Sequence, residues 1–389
     1  MSFFADPSFF VITALIVAIA AVLGLHQVSL RRFGMGATLV MVLFLFLFCK
    51  TPGQGAAFVA FLAIATLAAK FLFARRDSKA RFWGALAVTL APLVVCKVSG
   101  IFELNLLGFT GISYLTFKAV QVVLETHDGL IEDMGIGDYL YFLAFFPTII
   151  SGPIDRSRRF VEDIHRTPSR DEYAGMLARG ILLIGIGMVY KIVIAGIIHR
   201  YYNPAGWGSG PAGLEFLNQV GIAYLYGFYL FFDFAGYSLM AMGVSYCLGV
   251  RTPRNFRAPF IALDIKDFWN RWHMTLSFWL RDFVFMRFAR FSMKHKLFKQ
   301  RLHTAECGFV INMVLMGAWH GLTPSYLLYG LYHGVLLAAT EAYQKKSRFH
   351  KKHKGERWYQ VLSWLITMQL VMFGFALFSG QVLMLAKGV

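Results

Sequence analysis

Long, uninterrupted apolar runs constrain this chain more than any other feature. They fall at 9–25, 36–49, 56–73, 82–96, 106–124, 139–150, 176–198, 214–248, 309–319, 326–339 and 358–385. Because the runs are continuous and do not alternate, they predict helices and not the strands of a barrel. With 57% hydrophobic and 15% charged residues over 389 positions, a soluble globular domain is excluded. The expected fold is an all-α polytopic membrane bundle of roughly 9 to 11 apolar segments, including short broken or re-entrant helices around a central cavity. One integral membrane domain is expected over 1–389, with N-terminal helices at 1–125, a motif-bearing core at 139–343 and a C-terminal helix at 358–389. Aromatic residues at 16% and 36 glycines suit interface belts and close helix packing.

The formal charge of +17 belongs mainly to loops on the cytoplasmic side, facing anionic headgroups or acidic partners, and does not point to nucleic acid. Basic clusters stand at 31–32, 75–81, 156–170, 251–301 and 345–357. Placing all of them inside requires an even number of crossings between neighbours. Only the stretch between the second and third clusters breaks that parity, and the misfit falls on 139–150, which is too short to cross and ends in Phe-Pro-Thr-Ile-Ile-Ser-Gly-Pro. It is therefore expected to be re-entrant or broken, with the N-terminus outside. No Lys or Arg precedes the first apolar run, so a cleaved signal peptide is not expected. Cys49, Cys96, Cys247 and Cys307 are widely spaced and form neither a disulfide framework nor a zinc pattern, so no metal is expected.

Within this apolar frame, Met316-Gly317-Ala318-Trp319-His320-Gly321-Leu322 places a histidine at membrane depth. An ionisable side chain there is expensive and by default functional, and imidazole titrates near neutral pH. His320 is the candidate catalytic base; the alternative is a neutral histidine bonded to a backbone carbonyl. Gly321, Thr323 and Pro324 interrupt the run, so His320 is expected beside a break between two half-length segments.

From Asp264 to Val284 the spacing is helical. Trp269, Trp272, Leu276, Trp279 and Phe283 form an apolar stripe, and Asn270, His273, Ser277 and Arg281 a polar one. A Trp-anchored interfacial helix explains the first stripe. It does not explain the second, from which His273 could orient a carbonyl or assist His320. Asp233, inside a long apolar window, must be paired, protonated or wet, and Lys191 is a possible partner. His333 reads as a hydrogen-bonded packing residue, and His350 and His353 as solvated members of a Lys-rich loop. No phosphate loop, nucleophile elbow or HExxH motif occurs.

Phe-Asp-Phe-Ala-Gly-Tyr-Ser at 232–238, Asp-Phe-Trp-Asn-Arg-Trp-His at 267–273 and Gly-Ala-Trp-His-Gly at 317–321 resemble the signatures of membrane-bound O-acyltransferases, in the same order, from about residue 139 onward. Leu is more usual than Ala318 before the tryptophan. Through Ser-Gly-Pro-Ile-Asp-Arg-Ser-Arg-Arg-Phe at 151–160 and the stretch from Asn255 to Phe288, the chain is more similar to the teichoic acid D-alanylation branch than to the alginate O-acetyltransferase branch. The resemblance implies that His320 matches the family's essential histidine and His273 its second motif histidine. Trp319, Asn270, Ser277, Asp233, Asp155 and Arg156 are the candidate substrate or cavity residues.

The resemblance further implies a histidine-dependent acyltransferase with no bound cofactor. The donor would be a D-alanyl thioester on the phosphopantetheine of a separate acidic carrier protein. The acceptor would be an outward hydroxyl on lipoteichoic acid or an intermediate protein of the pathway, and other membrane proteins of that pathway are implied partners. The location would be a bacterial cell membrane under a Gram-positive type of envelope. Arg254, Arg257, Met286, Arg287, Phe288 and Arg290 interleave cations with bulky apolar side chains and are the expected carrier dock; attraction to anionic lipid is the plainer reading. The alternative within the family is an O-acetyltransferase of an exported polysaccharide, of the alginate type. A proton-coupled transporter using Asp233, His320 and Lys191 is the competing class outside it, but transporters commonly carry internal repeats and none is visible.

Overall fold

The computed structural model describes residues 7–48, 51–202 and 214–386; Cys49 lies outside them. Every regular element among the described residues is a helix. Six are long and apolar enough to cross a membrane: Pro7–Leu25, Pro52–Phe73, Lys79–Phe102, Arg170–Tyr201, Phe216–Cys247 and Arg357–Ser379. Their outward faces keep large apolar side chains exposed, as a lipid solvent allows.

The chain divides into two compact units, 1–188 with 237–254, and 189–236 with 255–389. The first contains α1 Pro7–Leu25, α2 Arg31–Phe48, α3 Pro52–Phe73, α4 Lys79–Ser99, α5 Ile112–His127, α6 Ile136–Ala144, α7 Ser157–His165 and α8 Arg170–Met188. The second contains α9 Ala195–Tyr201, then α10 Glu215–Cys247, whose last turns count with the first unit. It continues with α11 Ile265–Trp269, α12 Met274–Leu280, α13 Met286–Lys294, α14 Arg301–His320, α15 Pro324–Lys346, α16 Arg348–His353, α17 Arg357–Ser379 and α18 Gln381–Ala386.

In the first unit α5 is the core. It is buried nearly all round, yet carries Lys118, Gln121 and Glu125. A buried ammonium needs partners, and the short α6 supplies them. Pro147 prevents α6 from continuing, which leaves its last carbonyls without helical donors. Lys118 Nζ donates to Phe142 O (3.0 Å), Leu143 O (3.4 Å) and Thr148 Oγ1 (3.1 Å). The segment at 139–150 is thus short and broken, as its length predicts, and the lysine caps the break. Below it, Glu125 accepts from Ser157 Oγ at 2.9 Å, and Asp163 holds Arg251 through its side chain and backbone. Gly180 of α8 and Gly243 of α10 let those helices touch backbone to backbone, where a Cβ on either would overlap the other's carbonyl oxygen.

In the second unit α14 and α15 form an antiparallel hairpin. Gly317, Gly330 and Gly334 lie at its contact, and a Cβ on any of them would strike backbone atoms of the facing helix. α17 pins the preceding loop: Trp364 Nε1 donates to Phe260 O (2.7 Å) and Thr367 Oγ1 to Leu263 O (3.1 Å).

Two expectations are corrected here. The segments flanking His320 are not half-length, since α14 and α15 run 20 and 23 residues. Polar turns at 301–308 and 340–346 extend each apolar run away from the break. Nor is 264–284 one helix: α11 ends at Trp269, a turn covers 270–273, α12 begins at Met274 and a π-helical turn follows at Arg281–Phe285. Asn270, His273, Ser277 and Arg281 therefore do not share one helical stripe. Trp269, Trp272 and Trp279 are at most 7% exposed, so they anchor a protein core and not a membrane interface.

Candidate active site

His320 is the last residue of α14. Gly321 follows in extended backbone, and a Cβ there would press on the Tyr326 ring and force it to shift. The half-buried imidazole is boxed by rings: Trp319 at 4.6 Å between centroids, Phe378 at 5.0 Å, Tyr326 at 5.9 Å and Tyr329 at 6.5 Å. Aromatic packing on several sides restricts the orientation of the ring.

His273 reaches the same ring cluster from another direction. Trp319 stands 6.3 Å from it and 4.6 Å from His320, and Phe234 packs edge-on at 4.8 Å. The backbone of His273 is left-handed (φ 42°), a conformation that costs a non-glycine residue about 1 kcal/mol or more. Buried Asn255 enforces it: its carbonyl accepts from Met274 N–H at 2.8 Å, and its Oδ1 accepts from Thr275 Oγ1 at 2.5 Å. Ser277 N–H then bonds His273 O at 3.0 Å, starting α12. His273 lies outside the six apolar spans and is 3% exposed; burial, and secondarily the facing His320, pushes its pKa down to about 3. It is a neutral imidazole, able to donate from one nitrogen and accept at the other.

His333 is the third member. Trp269 Nε1 donates to its Nδ1 at 3.4 Å, and Gly374 leaves the room that its ring occupies. That is the hydrogen-bonded packing role its sequence context suggests.

Asp233 is ion-paired with Lys191, which sits in a π-helical turn, so each answers the other's charge. Ser277 Oγ donates to Trp272 O (3.3 Å), and Asn270 is exposed at the end of α11. Asp155, Arg156 and Arg254 belong to the first unit. There Asp155 is buried against Arg159, and burial pulls its carboxyl up. Arg254 and Arg257 are exposed, and Arg257 N–H bonds Arg271 O at 3.0 Å. On α13, Met286 and Arg290 are exposed, Arg287 is half-buried and Phe288 packs over Gly308.

Sequence reasoning did not single out Asn255, Phe234, Phe378, Tyr326 or Tyr329. The tyrosines had a signal, because spacing of three puts both on one helical face. Asn255 had none, since its role depends on a contact made at a distance along the chain.

The sequence profile of the membrane-bound O-acyltransferase family matches residues 38–379. The teichoic acid D-alanyltransferase of Bacillus subtilis (strain 168) is 45% identical over 311 residues, covering 77% of this chain and 78% of the relative. That of Streptococcus thermophilus is 42% identical over 319 residues, covering 79% and 77%. A probable alginate O-acetylase of Pseudomonas aeruginosa is 31% identical over 290 residues, covering 71% of this chain and 49% of the relative. With these matches and its apolar helices, the chain is a multi-pass bacterial membrane protein that belongs to the membrane-bound O-acyltransferase family.

Proposed function

We propose that this protein transfers a D-alanyl group from a carrier-protein phosphopantetheine thioester to an outward hydroxyl, in the D-alanylation of teichoic acid beneath a Gram-positive type of envelope. The observation that carries the reading is the convergence of His320 and His273 on Trp319, at the cut end of α14. The relatives named for D-alanyl transfer to teichoic acid supply the substrate class.

His320 takes the proton of the acceptor hydroxyl as its oxygen attacks the thioester carbonyl. The tetrahedral adduct collapses by breaking the carbon–sulfur bond, and the proton returns to the departing thiolate. Hydroxyl and thioester thus become ester and thiol. Neutral His273 holds the carbonyl by a hydrogen bond in this scheme. General base assistance of this kind contributes typically about 10²–10⁴-fold. The Lys191–Asp233 pair serves structure in this scheme, each charge answering the other.

Purified protein mixed with a D-alanyl carrier thioester and lipoteichoic acid, or membranes that contain the acceptor, should release carrier thiol in step with acceptor ester. Acetyl transfer in place of D-alanyl transfer would refute the donor, and thiol release without ester would refute the acceptor.

A further inference from the structure

A cavity of about 610 Å³ lies in the second unit between α15, α17 and the start of α11, away from the rings around His320. Its volume suits a small-molecule site. Its lining is divided. Leu336, Leu362, Ile366 and Leu370 form an apolar wall, with Leu362 and Ile366 about half exposed on α17. At the other end Lys354, His350, Tyr359 and Gln344 are polar. Tyr359 ties that end together: His350 Nδ1 lies 2.9 Å from its hydroxyl, which donates to Tyr343 at 3.2 Å. Asp264 also lines the cavity, but its carboxylate caps Asp267 N–H (2.8 Å) and accepts from Gln344 Nε2 (2.9 Å).

The surrounding charge is predominantly positive. Lys346, Arg348, Lys351, Lys352, Lys354 and Arg357 crowd this end against Glu356, while Glu341 is taken up by Lys345 (2.7 Å) and Lys266 (2.6 Å). Exposed Phe349 and Trp358 flank them, the arrangement of a membrane–water interface. An occupant must therefore be anionic at one end and aliphatic at the other, and must enter from the bilayer side, where the apolar wall is open.

We propose that this groove binds one anionic glycerophospholipid, its phosphate at Lys354 and His350 and an acyl chain along Leu336, Leu362, Ile366 and Leu370. The phosphate gains the Lys354 ammonium and the second imidazole nitrogen of His350, whose Nδ1 is already held by Tyr359. The acyl chain covers leucines that would otherwise face a gap. The proposal is independent of the acyl-transfer reading.

Native mass spectrometry of the detergent-purified full chain with added phosphatidylglycerol or phosphatidylcholine tests it. The parent should retain one phosphatidylglycerol and prefer it about tenfold over phosphatidylcholine. Lys354→Glu should abolish the preference. Ala339→Phe fills the groove without changing charge and should abolish retention itself; Thr340→Phe replaces it should that variant fail to fold. Lys351→Glu with Lys352→Glu, outside the lining, should leave both intact. Equal retention in a folded groove-filling variant would overturn the site. Equal loss in the double lysine variant would reduce it to a diffuse electrostatic film. Displacement of the lipid by millimolar glycerol 3-phosphate would identify a free-phosphate site in its place.

Discussion

His320 and His273 differ in what holds them. His320 rests on rings and on a glycine where an added Cβ would displace the Tyr326 ring, whereas His273 rests on a strained backbone that Asn255 keeps in place. His320→Ala should therefore leave a folded, monodisperse protein whose acyl transfer falls at least about 10²-fold, measured as carrier-dependent ester formation. His273→Ala should lower kcat while leaving the carrier KM near that of the parent, because the residue orients the reacting carbonyl and does not bind the carrier. Unchanged turnover in either variant would remove the role given to that residue. Both histidines were legible from sequence as polar residues in an apolar frame. What the sequence hid was the reason His273 points inward. The Trp269, Trp272, Leu276, Trp279 and Phe283 spacing fits one continuous helix, but a hydrogen bond from Met274 to Asn255 breaks it at the histidine. Periodicity records local preference and carries no information about that distant partner.

At the scale of elements, most helices match the apolar runs, because exposure to lipid demands both length and composition. The short elements were harder. The break after α6 was predictable from Pro147 and from length, yet its cap, Lys118, was not singled out within its own apolar run, although the logic applied to Asp233 applies equally. Lys118→Met keeps the volume but leaves the carbonyls of Phe142 and Leu143 without their donor. An unmet buried acceptor costs about 1–3 kcal/mol, so this variant should melt several degrees below the parent in detergent. An unchanged midpoint would mean that water or another donor caps the break.

For the molecule as a whole, the positive-inside argument puts the basic loops on one side. Cysteines at the exposed positions Arg158 and Lys346, in a background without the native thiols, should resist an impermeant thiol reagent in intact cells and react after lysis; labelling from outside at either would overturn the parity assignment. The same side should receive the carrier. α13 exposes Met286, Arg290, Phe291 and Met293 together, a basic and apolar face suited to an acidic partner. Arg287→Glu with Arg290→Glu should raise the carrier KM, and Met286→Asp should weaken binding even at high salt. If α13 instead attracts anionic lipid, a titration in detergent will find carrier affinity unaltered in both.

The capped break also bears on how the protein is made. When α5 leaves the ribosome it carries Lys118, Gln121 and Glu125, while Phe142, Leu143, Thr148 and Ser157 have yet to be synthesised. A lone lysine near a helix centre costs roughly 2.5–3.5 kcal/mol at the translocon, so α5 should not commit to the bilayer by itself. It should wait for α6 and enter with it as a pair. A glycosylation reporter fused after Gly135 should then show poor insertion of α5, and one fused after His165 should show that insertion restored.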